Sequence, residues 1–305
     1  MREILVTGGN GQVGTELKRY RWPDGWRVTA VDIDELDLRD TAAIAAMVAS
    51  RPWAAVISAG AYTAVDRAED DPVTAWAVNA LAPAAFALAC RTADVPLLHI
   101  STDYVFDGTK AGRWLPGDPT GPLGVYGASK LGGELAVASG WRRHAIVRTS
   151  WVVSAHGSNF IKTMLRAGAE RDTLRVVDDQ YGAPTGAADL AAALATIALR
   201  MADDPAAPTG TFHFSNAGET TWCGFARAIF AGAAARSATA PAPAPAVRAI
   251  ATADYPTPAR RPANSRLDHG AIAAAYGIVP RPWQAALDGI LDELVGAPRG
   301  NGAAT

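Results

Sequence analysis

Short apolar runs alternate with amphipathic stretches through the first half of the chain. Each run has the length of a buried strand, and a segment with helical spacing follows it; the runs cover 4–6, 26–31, 54–58 and 95–100. Strands that are apolar at every position are typical of parallel sheets, because helices cover both faces of such sheets. Four such alternations predict an α/β protein with a doubly wound parallel sheet of the Rossmann type.

The pattern becomes less regular after residue 150, where helices and strands no longer alternate evenly. We interpret this second part as a smaller C-terminal α/β lobe that binds the substrate. The predicted division is a dinucleotide-binding domain over 1–150 to which 182–230 returns, a substrate lobe over 151–181 and 231–296, and a flexible tail over 297–305.

Composition and charge narrow the class of protein. The chain has 305 residues and a net charge of −2, so nothing in its charge favours nucleic acid or a membrane surface as a partner. Cys90 and Cys223 lack a CxxC partner or a neighbouring His, which predicts buried free thiols. No signal peptide is visible, and the Ala-rich runs are interrupted by charges, so we expect a soluble cytoplasmic protein.

A glycine-rich turn follows the first strand. In TGGNGQVG, Gly8 allows a tight turn, Gly11 lets a pyrophosphate approach the backbone, and Gly14 lets the next helix pack closely. The second strand ends at Asp32, where a carboxylate can accept hydrogen bonds from a ribose diol. Because a carboxylate there disfavours a 2′-phosphate, the sequence indicates NADH, or use of both NADH and NADPH.

Tyr126 and Lys130 stand four residues apart on one face of a predicted helix. An ammonium beside a phenol favours the phenolate, so we expect the pKa of Tyr126 to be lowered toward working pH. Such a phenol can protonate a carbonyl oxygen, and Thr102, at the end of a strand, can orient it. The loop 107–124 between them has the glycines and prolines of either a lid or an ordinary loop.

Several motifs together resemble those of the dTDP-4-dehydrorhamnose reductase family, within the extended short-chain dehydrogenase/reductase superfamily. The resemblance covers residues 1–295 and rests on TGGNGQVG, STDYVF, YGASK, RTSW, Ser158-Asn159-Phe160, DDQYGAPT and YPTPARRPANSRL. It implies reduction of the C4 ketone of dTDP-4-dehydro-β-L-rhamnose to dTDP-L-rhamnose by NADPH or NADH.

The resemblance also implies roles for individual residues. Tyr126 matches the proton donor, Lys130 the partner of the nicotinamide ribose, and Thr102 the hydroxyl that tunes the tyrosine. Thr102 and Asp103 match substrate contacts, and Trp151 a position that packs on the substrate. The cofactor positions of the family fall on Gly11, Gln12, Val13, Asp32, Asp37, Leu38, Ala61, Tyr62 and Thr63, beside Gly8, Gly14, Tyr126 and Lys130.

Two further features concern ligands. Arg260, Arg261 and Arg266 form a basic cluster between prolines, and we assign Arg261 and Arg266 to a substrate diphosphate. Some family members bind Mg²⁺ through glutamates at a dimer interface. Glu16 matches one of these glutamates, but Ala188 stands where another is expected, with Asp189 beside it. We therefore assign no metal ligand, and a homodimer is the only assembly that the resemblance suggests.

Four alternatives remain open from the sequence. A 4,6-dehydratase places Asp-Glu after the threonine, whereas here Tyr104 follows Asp103, which disfavours elimination. Another nucleotide-sugar 4-ketoreductase or a 4-epimerase shares most of the motifs. A regulatory binding subunit of the same fold is the alternative from a different class, and the intact Thr102, Tyr126 and Lys130 argue against it.

Overall fold

The computed structural model describes residues 1–236 and 244–296, and the predicted tail over 297–305 lies outside them. The strands are, in chain order, β1 (Arg2–Thr7), β2 (Trp26–Val31), β3 (Trp53–Ser58), β4 (Leu97–Thr102), β5 (His144–Thr149), β6 (Val152–Val153), β7 (Thr173–Val177), β8 (Tyr181–Gly182), β9 (Thr185–Gly186), β10 (Gly210–His213), β11 (Thr220–Thr221) and β12 (Ala246–Ile250).

The helices lie between these strands. They are α1 (Gln12–Arg19), α2 (Thr41–Ala49), α3 (Val65–Asp70), α4 (Pro72–Trp76), α5 (Ala82–Ala93), α6 (Val125–Gly140), α7 (Phe160–Glu170), α8 (Ala187–Asp203), α9 (Trp222–Arg236), α10 (Gly270–Tyr276) and α11 (Trp283–Val295). A π-helical turn, Ala77–Leu81, connects α4 to α5, and short 3-10 helices cover Asp103–Val105 and Thr252–Asp254.

Six strands form one parallel sheet in the order β10-β5-β4-β3-β1-β2. The chain moves outward from β1 to β2 and then crosses back to β3 on the other side, so the direction of winding reverses between β1 and β3. Ligands of such sheets bind in the crevice at this reversal, outside the carboxyl ends of the strands. The predicted fold class, a doubly wound parallel sheet, is confirmed.

Helices cover both faces of the sheet, which explains why its strands are apolar throughout. On one face α1 and α8 pack through Leu17, Leu190 and Leu194. On the other face α2, α5 and α6 bury Ile44, Phe86, Cys90 and Val137 in a second core. Cys90 and Cys223 are both buried free thiols, as predicted.

The smaller lobe is built from α7, α9 and α11 around short two-stranded sheets, with Phe225, Ile229 and Leu287 in its core. Helix α8 and strand β10 belong to the large sheet and its covering layer. Helix α9, by contrast, packs on α7 and α11. The chain thus rejoins the large sheet over 187–213, leaves it in α9 and packs on β10 again through α10, where Ile272 joins the core. The division into two domains stays a prediction.

The long apolar stretch before β4 contains two irregularities. The first falls before Pro72, which begins α4 after the Asp71 cap. Pro83 lies in the first turn of α5, where a missing N–H is tolerated. The π-helical turn between α4 and α5 is the second irregularity, and such turns often occur at functional sites.

One helical stretch, Pro72–Ala93, has the length and composition of a membrane span, with a mean hydropathy of 1.6. Within the most apolar window of 18 residues in this stretch, 44% is buried inside the protein. Core helices have the same composition, so this is weak evidence for a membrane.

Two helical glycines allow a matched test of the packing. A Cβ at Gly133 in α6 would collide with the carbonyl oxygen of Asn79, whereas a Cβ at Gly289 in α11 would meet nothing. We expect Gly133→Ala to lower the free energy of unfolding by about 1–3 kcal/mol, because the helix must shift. Gly289→Ala should raise it by about 0.5–1 kcal/mol, since alanine favours the helix. Urea unfolding measures both, and equal effects of the two substitutions would contradict the packing described.

Candidate active site

A cavity of about 760 Å³ opens at the carboxyl ends of the central strands. It extends from the glycine turn after β1 to the end of β5, a size and a position typical of a ligand site. Sixteen predicted residues line it: Gly8, Gly11, Gln12, Val13, Gly14, Asp32, Asp37, Leu38, Ala61, Tyr62, Thr63, Thr102, Asp103, Tyr126, Lys130 and Trp151. The structure thus brings together side chains from six separate stretches of sequence.

The glycine turn is held by close backbone packing. Gly8 has a φ of +71°, and a Cβ there would collide with Gly60 after β3, while a Cβ at Gly14 would collide with the carbonyl oxygen of Gly8. Gly11 is the N-cap of α1 and supplies no side-chain cap. The first N–H groups of α1 therefore remain available to an anion, and the helix dipole favours one.

Asp32 is fixed at the rim of the cavity by two backbone donors. Its Oδ2 accepts a hydrogen bond from the N–H of Asn10 at 2.7 Å, and its Oδ1 accepts one from the N–H of Ile33 at 2.8 Å. Asp37, also at the rim, forms an ion pair with Arg39, whose side chain lines the same part of the cavity. The turn therefore presents phosphate donors on one side and carboxylates on the other, which fits a dinucleotide.

Lys130 is deeply buried in α6, with 2% of its surface exposed. Its Nζ donates to the carbonyl oxygen of Ile100 at 2.6 Å and lies 3.3 Å from Nε2 of His99. Burial lowers the pKa of Lys130 to about 8, although the nearby Glu134 carboxylate opposes the shift. The ammonium is thus held against strand β4, one helical turn from Tyr126.

Tyr126 differs from the expectation in its protonation. We expected its pKa to be lowered, but burial raises the pKa of Tyr126 to about 12, and the neighbouring Thr102 hydroxyl offsets this only in part. The nearby Asp103 carboxylate raises the pKa further, and the Nζ of Lys130 is directed at the carbonyl of Ile100. The phenol is therefore fully protonated near neutral pH, which is the state that a proton donor requires.

Asp103 is a buried carboxyl group beside the tyrosine. Its Oδ1 accepts a hydrogen bond from the Thr102 hydroxyl at 3.1 Å, whereas its Oδ2 has no hydrogen-bond partner within the described residues. Burial raises the pKa of Asp103 to about 6. A buried oxygen without a partner at the wall of a cavity suits a ligand hydroxyl.

Trp151 is held in an unusual backbone conformation at the end of the cavity. Its φ is +49°, in the left-handed region that bulky residues rarely adopt. The indole stacks on Trp222 with ring centroids 3.7 Å apart, and Gly182 leaves the space beside it. Such strain persists only where the surrounding packing enforces it, so the ring is a fixed wall rather than a mobile side chain.

The two arginines assigned to a diphosphate lie outside the lining of this cavity. Arg261 donates to both carboxylate oxygens of Asp66, at 3.0 and 2.7 Å. Arg266 donates to the carbonyl oxygen of Ala111 at 2.6 Å and lies 3.5 Å from Glu219. Their assignment to the substrate stays a prediction.

Asn79 is a site residue that we did not identify from the sequence. In the π-helical turn, its Oδ1 accepts from the N–H of Tyr62 at 2.9 Å, and its Nδ2 donates to the carbonyl of Tyr62 and to Ser129 Oγ. It thereby ties the loop after β3 to α6. Its signal in the sequence was a single amide side chain in an apolar helix. Such a residue is usually a core residue whose hydrogen bonds are satisfied within the protein.

The residues present do not fit the Mg²⁺ site that the resemblance suggested. Asp189 is paired with Arg281 at 2.8 Å and accepts from Asn216, while Glu16 lies beside Arg19 and Ser154. Over 1–236 and 244–296 the structure contains no cluster of three or more potential ligand residues. The absence of a metal ligand stays a prediction.

The fold and the cavity define the class: an α/β protein with a dinucleotide site at the sheet reversal and a Tyr–Lys pair beside it. A family model described as "RmlD substrate binding domain" matches residues 1–295, and the chain belongs to this family. Two of its relatives are named dTDP-4-dehydrorhamnose reductase. One from Sinorhizobium fredii is 43% identical, covering 92% of this chain and 94% of its own, and one from Escherichia coli is 40% identical, covering 95% and 97%.

Solved structures agree with this assignment. A dTDP-4-dehydrorhamnose reductase from Clostridium acetobutylicum superimposes with a TM-score of 0.88 at 32% identity, covering 96% of this chain and 99% of its own. One from Bacillus anthracis, in complex with NADP, gives 0.87 at 32% identity, with coverages of 96% and 100%. A UDP-glucose 4-epimerase from Brucella ovis gives 0.77 at 17% identity, covering 97% and 99%, and shares the fold. The family resemblance is thereby confirmed.

The raised pKa of Asp103 predicts a pH-dependent stability. Because the pKa in the folded state, about 6, exceeds that of an unfolded Asp, protonation favours folding. This contribution is complete below about pH 4 and is lost as the pH rises through about 6. Asparagine stays neutral, so Asp103→Asn should gain roughly 1–3 kcal/mol relative to wild type between pH 4 and pH 7.

Urea unfolding of the ligand-free protein at both pH values measures this difference. The exposed Asp34→Asn is the control, since it removes no buried charge. The same difference from wild type at pH 4 and pH 7 for Asp103→Asn would show that Asp103 is not desolvated.

Proposed function

We propose that this protein reduces the C4 ketone of dTDP-4-dehydrorhamnose to the alcohol, with NADPH or NADH as the reductant. The observation that carries the proposal is the convergence of Thr102, Tyr126 and Lys130 at one cavity, between the glycine turn and Trp151. The relatives bearing this activity in their names align over more than nine-tenths of the chain. NADP in the Bacillus anthracis relative supports NADPH as one of the two reductants.

When bound, the reduced nicotinamide supplies a hydride to C4 of the sugar. Tyr126 holds a proton on Oη and donates it to the ketone oxygen, so that the carbonyl becomes a secondary alcohol and the tyrosine becomes a phenolate. Because burial raises the pKa of Tyr126 to about 12, the phenolate needs a positive neighbour. Lys130, one turn along α6, is the nearest buried ammonium on the same helix face.

The remaining residues orient the ketone. Thr102 and Asp103, at the end of β4, place a hydroxyl and a carboxyl group beside Tyr126. Trp151 offers a rigid aromatic face, since its indole is stacked on Trp222. A hexose with a flat apolar face and several hydroxyls matches this combination of one ring and two polar groups.

Three alternatives have weaker support. Tyr104 stands beside Asp103 in the cavity where a dehydratase has a second carboxylate, so elimination lacks its base. A regulatory binding subunit would not need the complete set of Thr102, Tyr126 and Lys130. A 4-epimerase shares the fold and is distinguished by the assay below, because it would not consume a reduced cofactor stoichiometrically.

Turnover with each cofactor tests the proposal. The purified protein is mixed with dTDP-4-dehydrorhamnose, generated in situ, and with NADPH or NADH, and absorbance of the reduced cofactor is followed. We expect one equivalent of cofactor to be oxidised per sugar nucleotide reduced, and product analysis should show dTDP-rhamnose. Lack of oxidation with either cofactor, while the Escherichia coli relative is active in parallel, would exclude the reductase.

The role of Tyr126 gives a sharper prediction. Tyr126→Phe removes the proton donor and keeps the ring, so kcat should fall by about 10²–10⁴-fold with little change in the KM for cofactor. Tyr20→Phe, at the far end of α1, is the matched control and should keep wild-type kcat. Full turnover by Tyr126→Phe would assign the proton to another group.

Other expectations complete the proposal. We infer a cytoplasmic enzyme whose partner is a small dTDP-sugar rather than nucleic acid or a membrane, and a homodimer is its expected assembly. The mild preference for NADH suggested by Asp32 is decided by the ratio of kcat/KM values in the same two-cofactor assay.

A further inference from the structure

A buried ion pair lies behind the catalytic helix. Arg148, in β5, donates from Nε and Nη2 to the two carboxylate oxygens of Glu134, in α6, at 2.8 and 2.7 Å. Only 6% and 5% of the two side chains are exposed. Neither residue lines the cavity, and neither has a part in the reduction described above.

Glu134 extends the row of site residues along α6. Tyr126, Lys130 and Glu134 follow at intervals of four residues and therefore share one helix face. Lys130 is fastened to the carbonyl of Ile100, and Glu134 accepts a hydrogen bond from Ser101 Oγ at 2.5 Å. These two hydrogen bonds attach α6 to consecutive residues of β4, Ile100 and Ser101, which immediately precede Thr102. Glu134 thus fixes the position of α6 relative to β4, the strand that ends at Thr102.

Arg148 reaches in the opposite direction, to the loop 107–124. Its Nη1 donates to the carbonyl oxygen of Pro116 at 3.1 Å. Phe106 lies between the Arg148 guanidinium, 4.9 Å from its ring centroid, and Trp114, which stacks on it at 4.3 Å and 7°. The middle of the loop is therefore packed on the ion pair and is not a free lid.

His213, in β10, completes this contact. Its Nδ1 lies 3.0 Å from the carbonyl oxygen of Trp114, and because a carbonyl only accepts, Nδ1 carries the proton. Nε2 is then an acceptor and faces Nη1 of Arg148 at 3.5 Å. Burial and the neighbouring guanidinium lower the pKa of His213 to about 3, so the ring stays neutral.

The loop in turn holds the segment that bears Arg266. The indole Nε1 of Trp114 donates to the carbonyl of Asn264 at 3.0 Å, and its backbone N–H donates to the carbonyl of Arg266 at 2.8 Å. Asn264 returns two hydrogen bonds, to the carbonyls of Lys110 and Gly112. An unbroken chain of contacts therefore runs from α6 through Glu134, Arg148 and Trp114 to this segment.

We propose that Glu134 and Arg148 are positioning residues, which set the place of Tyr126 and Lys130 relative to the sugar-nucleotide side of the site. This inference rests on the proposed function for its kinetic consequences. Misplacement of a reacting group by about 1 Å costs about 100-fold in rate, so a rigid link behind the helix matters although it touches no substrate. The glycine turn lies at the other end of the cavity, away from the hydrogen bonds of this pair described above.

The test compares an apolar replacement of the pair with a matched control. Glu134→Leu combined with Arg148→Met fills the same space and leaves no unpaired buried charge, so the fold is expected to survive. Arg148→Lys is the milder second variant, which keeps the charge but loses the two-pronged bond and the contact with Pro116. The control is Arg236→Met in the small lobe, which removes a guanidinium that is equally buried and pairs with Asp288 and Asp292.

Steady-state kinetics give the first readout. We expect the double variant to lose about 10–100-fold in kcat and to raise the KM for the sugar nucleotide several-fold. The KM for NADPH should change less, because Tyr126 and Lys130 are the only two of the predicted cofactor residues that lie on α6. Arg148→Lys should show the same split with a smaller loss. Arg236→Met should keep all three constants. Wild-type constants in a folded double variant, or in Arg148→Lys if the double variant does not fold, would overturn the proposal.

Hydrogen exchange gives a readout that does not need turnover. Peptides covering 111–118 and 125–133 should exchange at least about 3-fold faster in the double variant than in wild type. In Arg236→Met the exchange rates of both peptides should equal those of wild type. Unaltered exchange in both peptides overturns the positioning role. An inactive wild-type enzyme would instead refute the proposed function, and exchange would still decide whether the pair links helix and loop.

Discussion

The position of the whole site depends on the hydrogen bonds that attach buried charged side chains of helix α6 to strand β4. Lys130 and Glu134 are both buried, and each is satisfied by an atom of β4 or its neighbour β5. A buried charge without such a partner is costly, so the helix cannot slide or rotate without breaking a strong hydrogen bond. Tyr126 lies one turn closer to the N-terminus of α6 than Lys130, beside the end of β4, so the same contacts restrict its position.

The reversal of winding between β1 and β3 provides the second half of the site. It brings Gly8 so close to Gly60 that a Cβ at Gly8 would collide with the backbone of Gly60. The N-terminus of α1, which has no side-chain cap, lies on one side of the resulting crevice, and Thr102 lies on the other. A dinucleotide and a proton donor therefore meet because of sheet topology, and Asn79 in the π-helical turn ties the two halves together.

The chemistry also follows from burial. Desolvation raises the pKa of the Tyr126 phenol to about 12 and lowers that of Lys130 to about 8, so the phenol holds its proton more tightly while the lysine ammonium holds its proton less tightly. This is the opposite of the shift that we expected for the tyrosine, and it suits a donor in a reduction better than a ready-made phenolate would. Trp151, stacked on Trp222, supplies a surface that does not move during these steps.

The sequence by itself determined what depends on local pattern. Apolar runs predicted the parallel sheet, the glycines at 8, 11 and 14 predicted the turn, and Tyr126 and Lys130 shared a face because helical spacing requires it. Tertiary structure alone decided what depends on partners distant in the chain: Arg261 lies against Asp66, the loop 107–124 is tied down through Arg148, and burial raised the pKa of Tyr126. Periodicity reports which way a side chain points along its own element, whereas ion pairs and desolvation depend on which other elements pack against it.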